Sequence, residues 1–266
     1  MKKLFTLSAL LALAVCANAQ DWAKAKLTKS SRHQEWVNVK QGEREVNCFV
    51  TYPEVKDKAT AVIVIHEIFG LSDWARSVVD ELAEAGYIAI APDLLSGSVA
   101  GGGGTAELIK SGAEVGQVIR KLPPDQITAD LNAVAQYVAK LPSCNGKVAV
   151  AGFCWGGTQT FRFATNNKDI LAALVFYGSG PEKADEIARI KAPVYGFYGG
   201  NDNRVTSTVA SSAELMKKAG KTYEPKTYEG AGHGFMRAGE APDATEANKK
   251  ARAEAWTRIQ ELLKKL

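Results

Sequence analysis

The chain has 266 residues, of which 46% are hydrophobic, 8% aromatic and 23% charged. Its formal net charge is only +4, and basic and acidic residues alternate along the sequence. This balance argues against a nucleic-acid-binding surface, and the length suits one α/β domain with a full-sized core.

The first 19 residues have the pattern of an export signal. Two lysines precede an apolar stretch over residues 4–15, and Ala17-Asn18-Ala19 is the small-x-small pattern that signal peptidase cuts. The apolar stretch is too short to span a membrane comfortably. We therefore expect cleavage after Ala19, a periplasmic or secreted location, and a single mature domain over residues 20–266 without a membrane span.

Three cysteines remain after that cleavage: Cys48, Cys144 and Cys154. An odd number in an oxidising compartment favours one disulfide and one free thiol. We expect Cys48 to pair with Cys144, because this pairing leaves Cys154 available.

The rest of the chain alternates between predicted strands and helices. Alternating or continuous apolar runs predict strands at 34–40, 45–52, 61–65, 87–91, 147–151, 171–177, 193–198 and 223–228. Helical patterns cover 72–86, 127–141, a segment ending near Gly220, and 244–266. This alternation predicts an α/β fold with a mostly parallel, doubly wound central sheet and helices on both faces.

Residues 96–104 are rich in glycine and follow a predicted strand. A phosphate-binding loop would end in Gly-Lys-Ser/Thr, which this segment lacks. We expect a mobile surface connection, with a lid over the site as the alternative.

A nucleophile elbow follows the strand at 147–151, and its residues are Gly152-Phe153-Cys154-Trp155-Gly156-Gly157. The nucleophile of an elbow lies on a strained turn, so the residues two before and two after it must be tiny. Gly152 and Gly156 meet this demand. The N-terminus of the next helix would favour a thiolate and a developing oxyanion at Cys154. The alternative is an inert, buried cysteine beside close-packed glycines.

Asp202 and His233 are the partners expected for Cys154. Each follows a predicted strand, so both belong at the sheet edge that carries the elbow. The chain order of nucleophile, acid and histidine is that of hydrolases with this elbow. We expect His233 to act as the base and Asp202 to orient its imidazole; the alternative is a purely structural histidine.

The two other histidines are weaker candidates. We expect His33 to be solvated and without a partner, and His66, at the end of a central strand, to lie behind the site or contact the substrate. Ligand spacings such as Cys-x-x-Cys and His-Glu-x-x-His are absent from the sequence, so we expect no metal and no cofactor.

Five motifs together resemble the dienelactone hydrolase (carboxymethylenebutenolidase) family. They occur in the family's order and cover nearly the whole mature chain: His66-Glu67-Ile68-Phe69-Gly70, Ala91-Pro92-Asp93-Leu94, Gly152-Phe153-Cys154-Trp155-Gly156-Gly157, Gly199-Gly200-Asn201-Asp202 and Gly232-His233-Gly234-Phe235. The resemblance implies an α/β-hydrolase fold in which a Cys154-His233-Asp202 triad acts on an ester or lactone.

The resemblance also implies roles for three residues beside the triad. Glu67 would engage the Cys154 thiol in the resting enzyme and rearrange when substrate binds, so that the thiolate forms. The backbone N–H groups of Ile68 and Trp155 would form the oxyanion hole. The alternative for Glu67 is a surface ion pair with Arg76.

Arg237 matches the family position that binds the substrate carboxylate. The family carries a second carboxylate-binding arginine just after its Pro-Asp-Leu motif, whereas this chain reads Asp93-Leu94-Leu95-Ser96-Gly97. Loss of one of two anion contacts weakens recognition of a carboxylate.

We therefore expect an exported cysteine hydrolase that acts on a small ester or lactone through a covalent acyl-cysteine intermediate. One alternative is a broad carboxylesterase or thioesterase with the same triad, which the missing arginine and the export signal favour over aromatic catabolism. A second alternative is a non-catalytic protein that binds a small molecule. The sequence carries no signal for an oligomeric state.

Overall fold

An eight-stranded sheet forms the centre of the computed structural model, which describes residues 20–99 and 102–266. The strand order is β1-β2-β4-β3-β5-β6-β7-β8. Strand β2 runs antiparallel to both of its neighbours, β1 and β4, and the strands from β3 to β8 are parallel to one another. The strands are β1 (Gln34–Gln41), β2 (Arg44–Thr51), β3 (Ala59–Ile65), β4 (Ile88–Pro92), β5 (Cys144–Phe153), β6 (Ala173–Phe176), β7 (Val194–Gly199) and β8 (Tyr223–Tyr228). The predicted mostly parallel α/β sheet is confirmed.

Helices cover both faces of this sheet and bury alternate side chains of each central strand. In β3, Val62 and Val64 pack into one core, whereas Ile63 and Ile65 pack into the other. This two-sided burial explains why the strand is a continuous apolar run. The helices are α1 (Asp21–Lys29), α2 (Asp73–Glu84), α3 (Thr105–Lys110), α4 (Val115–Ile119), α5 (Pro124–Ala139), α6 (Trp155–Asn166), α7 (Ala184–Ala188), α8 (Asn203–Thr206), α9 (Val209–Lys218), α10 (Phe235–Ala238) and α11 (Glu246–Lys264).

The two cores draw on different helices. Side chains of α1, α2 and α11 fill one core, and side chains of α5, α6 and α9 fill the other. Of the two residues that could cap the helix predicted at 72–86, Ser72 or Asp73, the structure has Ser72, whose hydroxyl accepts a hydrogen bond from the Ala75 amide. The parallel strands therefore point their carboxyl ends to one edge, where the loops carrying the site begin.

Several short elements lie outside the sequence predictions. α1 precedes the first predicted strand, and α3 and α4 follow the glycine-rich segment. Residues 100 and 101 of that segment, and the predicted signal at 1–19, lie outside the described residues. Within 20–99 and 102–266, no helix combines the length and apolar character needed to cross a membrane.

The prediction of a disulfide between Cys48 and Cys144 is wrong, because both residues are free, buried thiols. Cys48 lies opposite Pro92 at the carboxyl end of β4, whereas Cys144 opens β5 opposite Ala59. The strand register thus places the two cysteines at opposite edges of the sheet, out of bonding range. Burial also raises the pKa of the Cys48 thiol, which disfavours its reactive thiolate form.

Candidate active site

The elbow places Cys154 between the end of β5 and the start of α6. Its backbone has φ of 56° and ψ of −116°, a region that residues with a side chain rarely adopt. A Cβ on Gly152 would lie 2.2 Å from the Gly156 carbonyl oxygen, and a Cβ on Gly156 would lie 2.3 Å from the Ile65 carbonyl oxygen. Both positions therefore require glycine, as the sequence predicts.

A Gly156→Ala substitution should destabilise the protein by about 3 kcal/mol, because the atoms it would strike belong to the backbone of central strand β3. Urea unfolding measures this loss. Gly42→Ala is the control, since a Cβ there has open space and meets only the cost of φ at +61°, about 1 kcal/mol. Equal losses for the two variants would contradict the packing account of the elbow.

Cys154, His233 and Asp202 form a continuous chain of contacts. The His233 Nε2 atom lies 3.1 Å from Cys154 Sγ, and His233 Nδ1 lies 2.5 Å from Asp202 Oδ2. Asp202 follows β7 and is buried, whereas His233 follows β8 and is partly exposed. An ionised Asp202 accepts only, so Nδ1 carries its proton and Nε2 is left to face the thiol.

Opposing effects set the pKa of His233. Burial lowers this pKa, but the hydrogen bonds to Cys154 and Asp202 and the charges of both groups outweigh it, so the pKa is raised. The charged form of the His233 ring is therefore more stable beside these two groups than it is in water. Such an arrangement stabilises the imidazolium that forms when the thiol transfers its proton.

The chain contains only three histidines, so NMR of the imidazole carbon-bound protons can follow His233 individually. We expect His233 to titrate above about 6.5, the ordinary histidine value. Asp202→Asn should lower this pKa, because it removes the charge and the acceptor that favour the imidazolium. An unchanged titration in Asp202→Asn would show that the carboxylate does not act on His233.

His66 is fully buried behind the elbow. Its Nδ1 lies 2.9 Å from the Glu67 carbonyl oxygen, and its ring stacks on Trp155 with centroids 5.6 Å apart. Burial lowers the pKa of His66, so the neutral ring is favoured. Of the two positions predicted for His66, the one behind the site is the one observed.

His33 is exposed, as expected, but the prediction that it lacks a partner is wrong. Its ring packs on Tyr52 with centroids 5.4 Å apart, and its Nε2 lies 3.7 Å from the Glu35 carboxylate. The pairing of β1 with β2 explains these contacts, because the end of β2 lies beside the start of β1.

Glu67 departs from both of its predicted arrangements. Its Oε2 atom accepts a hydrogen bond from Arg237 Nε at 2.8 Å instead of engaging the Cys154 thiol. The predicted surface pair with Arg76 is also wrong, since Glu67 is buried and Arg76 pairs with Asp73. Burial raises the pKa of Glu67, and Arg237 opposes this effect without cancelling it.

The two amides expected at an oxyanion hole follow the carboxyl ends of the neighbouring strands β3 and β5. Trp155 opens α6 directly after the cysteine, and Ile68 follows β3, the strand paired with β5. Within the described part of the chain, neither N–H donates a hydrogen bond to a protein acceptor. Free donors at a helix start suit a developing negative charge.

Sequence analysis missed two residues at this site. Tyr177 follows β6, is buried, has φ of 39°, and packs its ring on His233 with centroids 5.1 Å apart. Arg204 lies two residues after Asp202, with Nη2 3.4 Å from His233 Nδ1. In the sequence, a tyrosine that follows an apolar strand looks like a core residue, and an arginine after a loop looks like a surface residue. Neither residue therefore carried a sequence signal for a role in the site.

Within the described ranges, no group of three or more histidine, cysteine, aspartate or glutamate side chains is placed to hold a metal ion.

The sheet, the elbow and the loops at the carboxyl ends of its strands define an α/β-hydrolase. A crystal structure titled "Putative Dienelactone Hydrolase" from Klebsiella pneumoniae superposes with a TM-score of 0.74 at 25% identity, covering 89% of this chain and all of that one. An esterase from Pyrobaculum calidifontis shares the fold, with a TM-score of 0.66 at 15% identity and coverage of 94% and 92%.

The chain belongs to the dienelactone hydrolase family, whose profile matches residues 46–266. A protein from Salmonella typhimurium named "Putative carboxymethylenebutenolidase" is 32% identical over 231 residues, which cover 82% of each chain. A protein of the same name from Methylorubrum extorquens is 32% identical over 185 residues, 65% of this chain and 62% of that protein. The family resemblance carried by the five sequence motifs is confirmed, and this membership supports hydrolysis of an ester or lactone bond.

Proposed function

We propose that this protein hydrolyses a small ester or lactone through a Cys154-His233-Asp202 triad and a covalent acyl-cysteine intermediate. The observation that carries the proposal is the contact chain from Cys154 Sγ through the His233 ring to Asp202. A thiol, a base and an orienting carboxylate in hydrogen-bonding sequence are the parts of an activated nucleophile.

The first chemical step forms the acyl-enzyme. Cys154 transfers its proton to His233 Nε2, and its sulfur attacks the ester carbonyl carbon. The Ile68 and Trp155 amides hold the oxyanion of the tetrahedral intermediate. Collapse of the intermediate breaks the carbon–oxygen bond, and His233 protonates the departing alcohol oxygen.

The second step releases the acid. His233 removes a proton from water, and the resulting hydroxide attacks the thioester carbonyl. Collapse of the second tetrahedral intermediate expels the Cys154 sulfur, which recovers its proton from His233. Asp202 holds the imidazole in the required tautomer during both steps.

Glu67 and Arg237 form an ion pair beside the proposed triad. A substrate carboxylate that reaches Arg237 would compete with Glu67 for the guanidinium and free the buried Glu67 carboxylate to move. The aromatic ring of Phe69, 47% exposed, lies over the Arg237 guanidinium at 5.0 Å. A substrate group that reaches the Arg237 cation would therefore pass beside an apolar aromatic surface.

A broad carboxylesterase or thioesterase activity is the second candidate. It is favoured because Glu67 already occupies Arg237 and because no arginine stands in Asp93-Leu94-Leu95-Ser96-Gly97. A non-catalytic binding protein is disfavoured, since a binding role gives no reason for the ordered thiol, imidazole and carboxylate. Export by the 1–19 signal and a single mature domain over 20–266 remain parts of the proposal.

Inhibition by alkylation tests the proposal. The protein should release p-nitrophenol from p-nitrophenyl acetate, and iodoacetamide should abolish this release as it labels Cys154, the one cysteine within residues 20–99 and 102–266 that is not buried. Peptide mapping identifies the labelled thiol. Full activity after complete labelling of Cys154 would refute a cysteine nucleophile.

A further inference from the structure

The loop that carries His233 follows β8 and is tied first to the loop that follows β7. The backbone N–H of Asn201 donates to the Ala231 carbonyl at 2.9 Å, and Asn201 Nδ2 donates to the Gly230 carbonyl at 3.1 Å. In the part of the chain that the structure describes, the backbone N–H of His233 itself donates to no protein acceptor. The position of the histidine therefore depends on contacts made by the neighbouring residues.

A side chain of α11 holds the same loop at a second point. Asn248 Oδ1 accepts a hydrogen bond from the Gly232 N–H at 3.0 Å. That N–H and the Ala231 carbonyl belong to one peptide unit, which is planar and rigid. The carbonyl of this unit is bonded to Asn201, and its N–H is bonded to Asn248. Both polar groups of the peptide are therefore fixed, one residue before His233.

This anchoring matters because glycines flank the histidine. Gly232 precedes His233, and Gly234 follows it with φ of +72°. Glycine places little steric restriction on its own backbone angles, so the local chain does not by itself fix the direction of the imidazole. Yet the ring has Nε2 at 3.1 Å from Cys154 Sγ and Nδ1 at 2.5 Å from Asp202 Oδ2. A fixed peptide before Gly232 limits the freedom of the loop to leave this geometry.

Asn248 suits this task because of its place in α11. It is the third residue of the helix, and its own N–H donates to the hydroxyl of the capping residue Thr245 at 3.3 Å. A capped first turn gives the side chain a fixed starting point. A second contact lies nearby, since a Cβ on Gly239 would come within 2.5 Å of the Asn248 carbonyl oxygen. The segment from Gly232 to Gly239 therefore lies against α11 at both of its ends.

We propose that Asn248 is a positioning residue that holds the His233 loop where the imidazole meets Cys154 and Asp202. The proposal rests on the hydrolase function above and adds to it a residue of α11 that acts through the catalytic histidine instead of on the substrate. The bond uses the amide oxygen of Asn248 as an acceptor. A carboxylate of the same shape can therefore replace this side chain, whereas a methyl group cannot.

Two substitutions separate the acceptor from the rest of the side chain. Asn248→Ala removes the acceptor and leaves a strong helix former. We expect it to lower kcat/KM for p-nitrophenyl acetate about 10- to 100-fold, the scale of a misplacement of about 1 Å. Asn248→Asp keeps the acceptor and should retain most of the activity. The NMR titration of His233 is the second readout: its pKa should fall toward about 6.5 in Asn248→Ala, because the bonds that raise it are loosened, and should not fall in Asn248→Asp.

Asn145→Ala is the matched control. Asn145 Oδ1 also accepts a backbone N–H, that of Lys147 at 2.9 Å, but this bond lies near the start of β5 and away from the elbow. The activity of this variant and its His233 titration should equal those of the wild type. Urea unfolding of both alanine variants shows whether a loss of stability alone changes the rate.

Full activity in Asn248→Ala would overturn the proposal. An equal loss in Asn248→Asp would do the same, because it would show that the acceptor is not the cause. So would a loss of activity in Asn248→Ala with an unchanged His233 titration. If the wild type hydrolyses the ester no faster than Cys154→Ala, the hydrolase function fails, and the titrations of the Asn248 variants still test whether this residue positions the ring.

Discussion

Cys154→Ala should lower kcat/KM for p-nitrophenyl acetate by about 10⁴-fold or more. The substitution removes the only atom that can form the acyl-enzyme, while the two oxyanion donors and the His233–Asp202 pair stay in place. The three triad residues act as a unit, so loss of one member removes nearly the whole contribution of the triad to the rate. Residual hydrolysis would then come from the remaining groups alone. Initial rates of p-nitrophenol release at saturating and limiting ester measure the effect.

Two further variants separate chemistry from folding. Cys144→Ala removes a buried thiol at the opposite sheet edge and should keep wild-type activity, although it lowers stability by the lost packing. Cys154→Ser replaces the sulfur with an oxygen nucleophile on the same strained turn. A hydroxyl forms its anion far less easily than a thiol, so a large loss of activity is expected here too. A Cys154→Ala enzyme that retained a tenth of the activity would rule out this nucleophile.

Asp202→Asn should lower kcat by roughly 10³- to 10⁴-fold with little change in structure. The asparagine amide can donate to His233 Nδ1, which favours the tautomer whose Nε2 carries the proton and faces Cys154 Sγ at 3.1 Å. A protonated Nε2 cannot accept the thiol proton, so the geometry survives and the base is lost. Steady-state rates between pH 6 and 9 give the size of the loss.

Asp185→Asn serves as the matched control, because Asp185 is an exposed residue in the first turn of α7. Its kcat should equal that of the wild type. If Asp202→Asn retained full activity while the His233 titration moved downward, Asp202 would affect the charge of the ring without serving catalysis.

The fold was largely predictable because its signals are local. β3 reads as a continuous apolar run since both faces of that strand are buried, and the two elbow glycines are dictated by the backbone atoms they touch. Cys154, Asp202 and His233 could be grouped from sequence because parallel strands bring their carboxyl ends to one edge. The contacts between these three side chains match that expectation.

The errors arose where the answer depends on strand register or on the direction of a side chain. Whether Cys48 reaches Cys144 is decided by which strand ends face each other. The partner of Glu67 depends on a competition between Arg237 and the Cys154 thiol, which sequence spacing does not resolve.

The acyl-enzyme itself is the most direct test of a cysteine nucleophile in this site. The protein is mixed briefly with p-nitrophenyl acetate, quenched in acid and measured by intact-mass spectrometry, with Cys154→Ala treated in parallel. We predict one acetyl adduct on the wild type, mapped to Cys154, and none on the variant. Rapid release of p-nitrophenol with no adduct at Cys154, or the same adduct on both proteins, would contradict the mechanism.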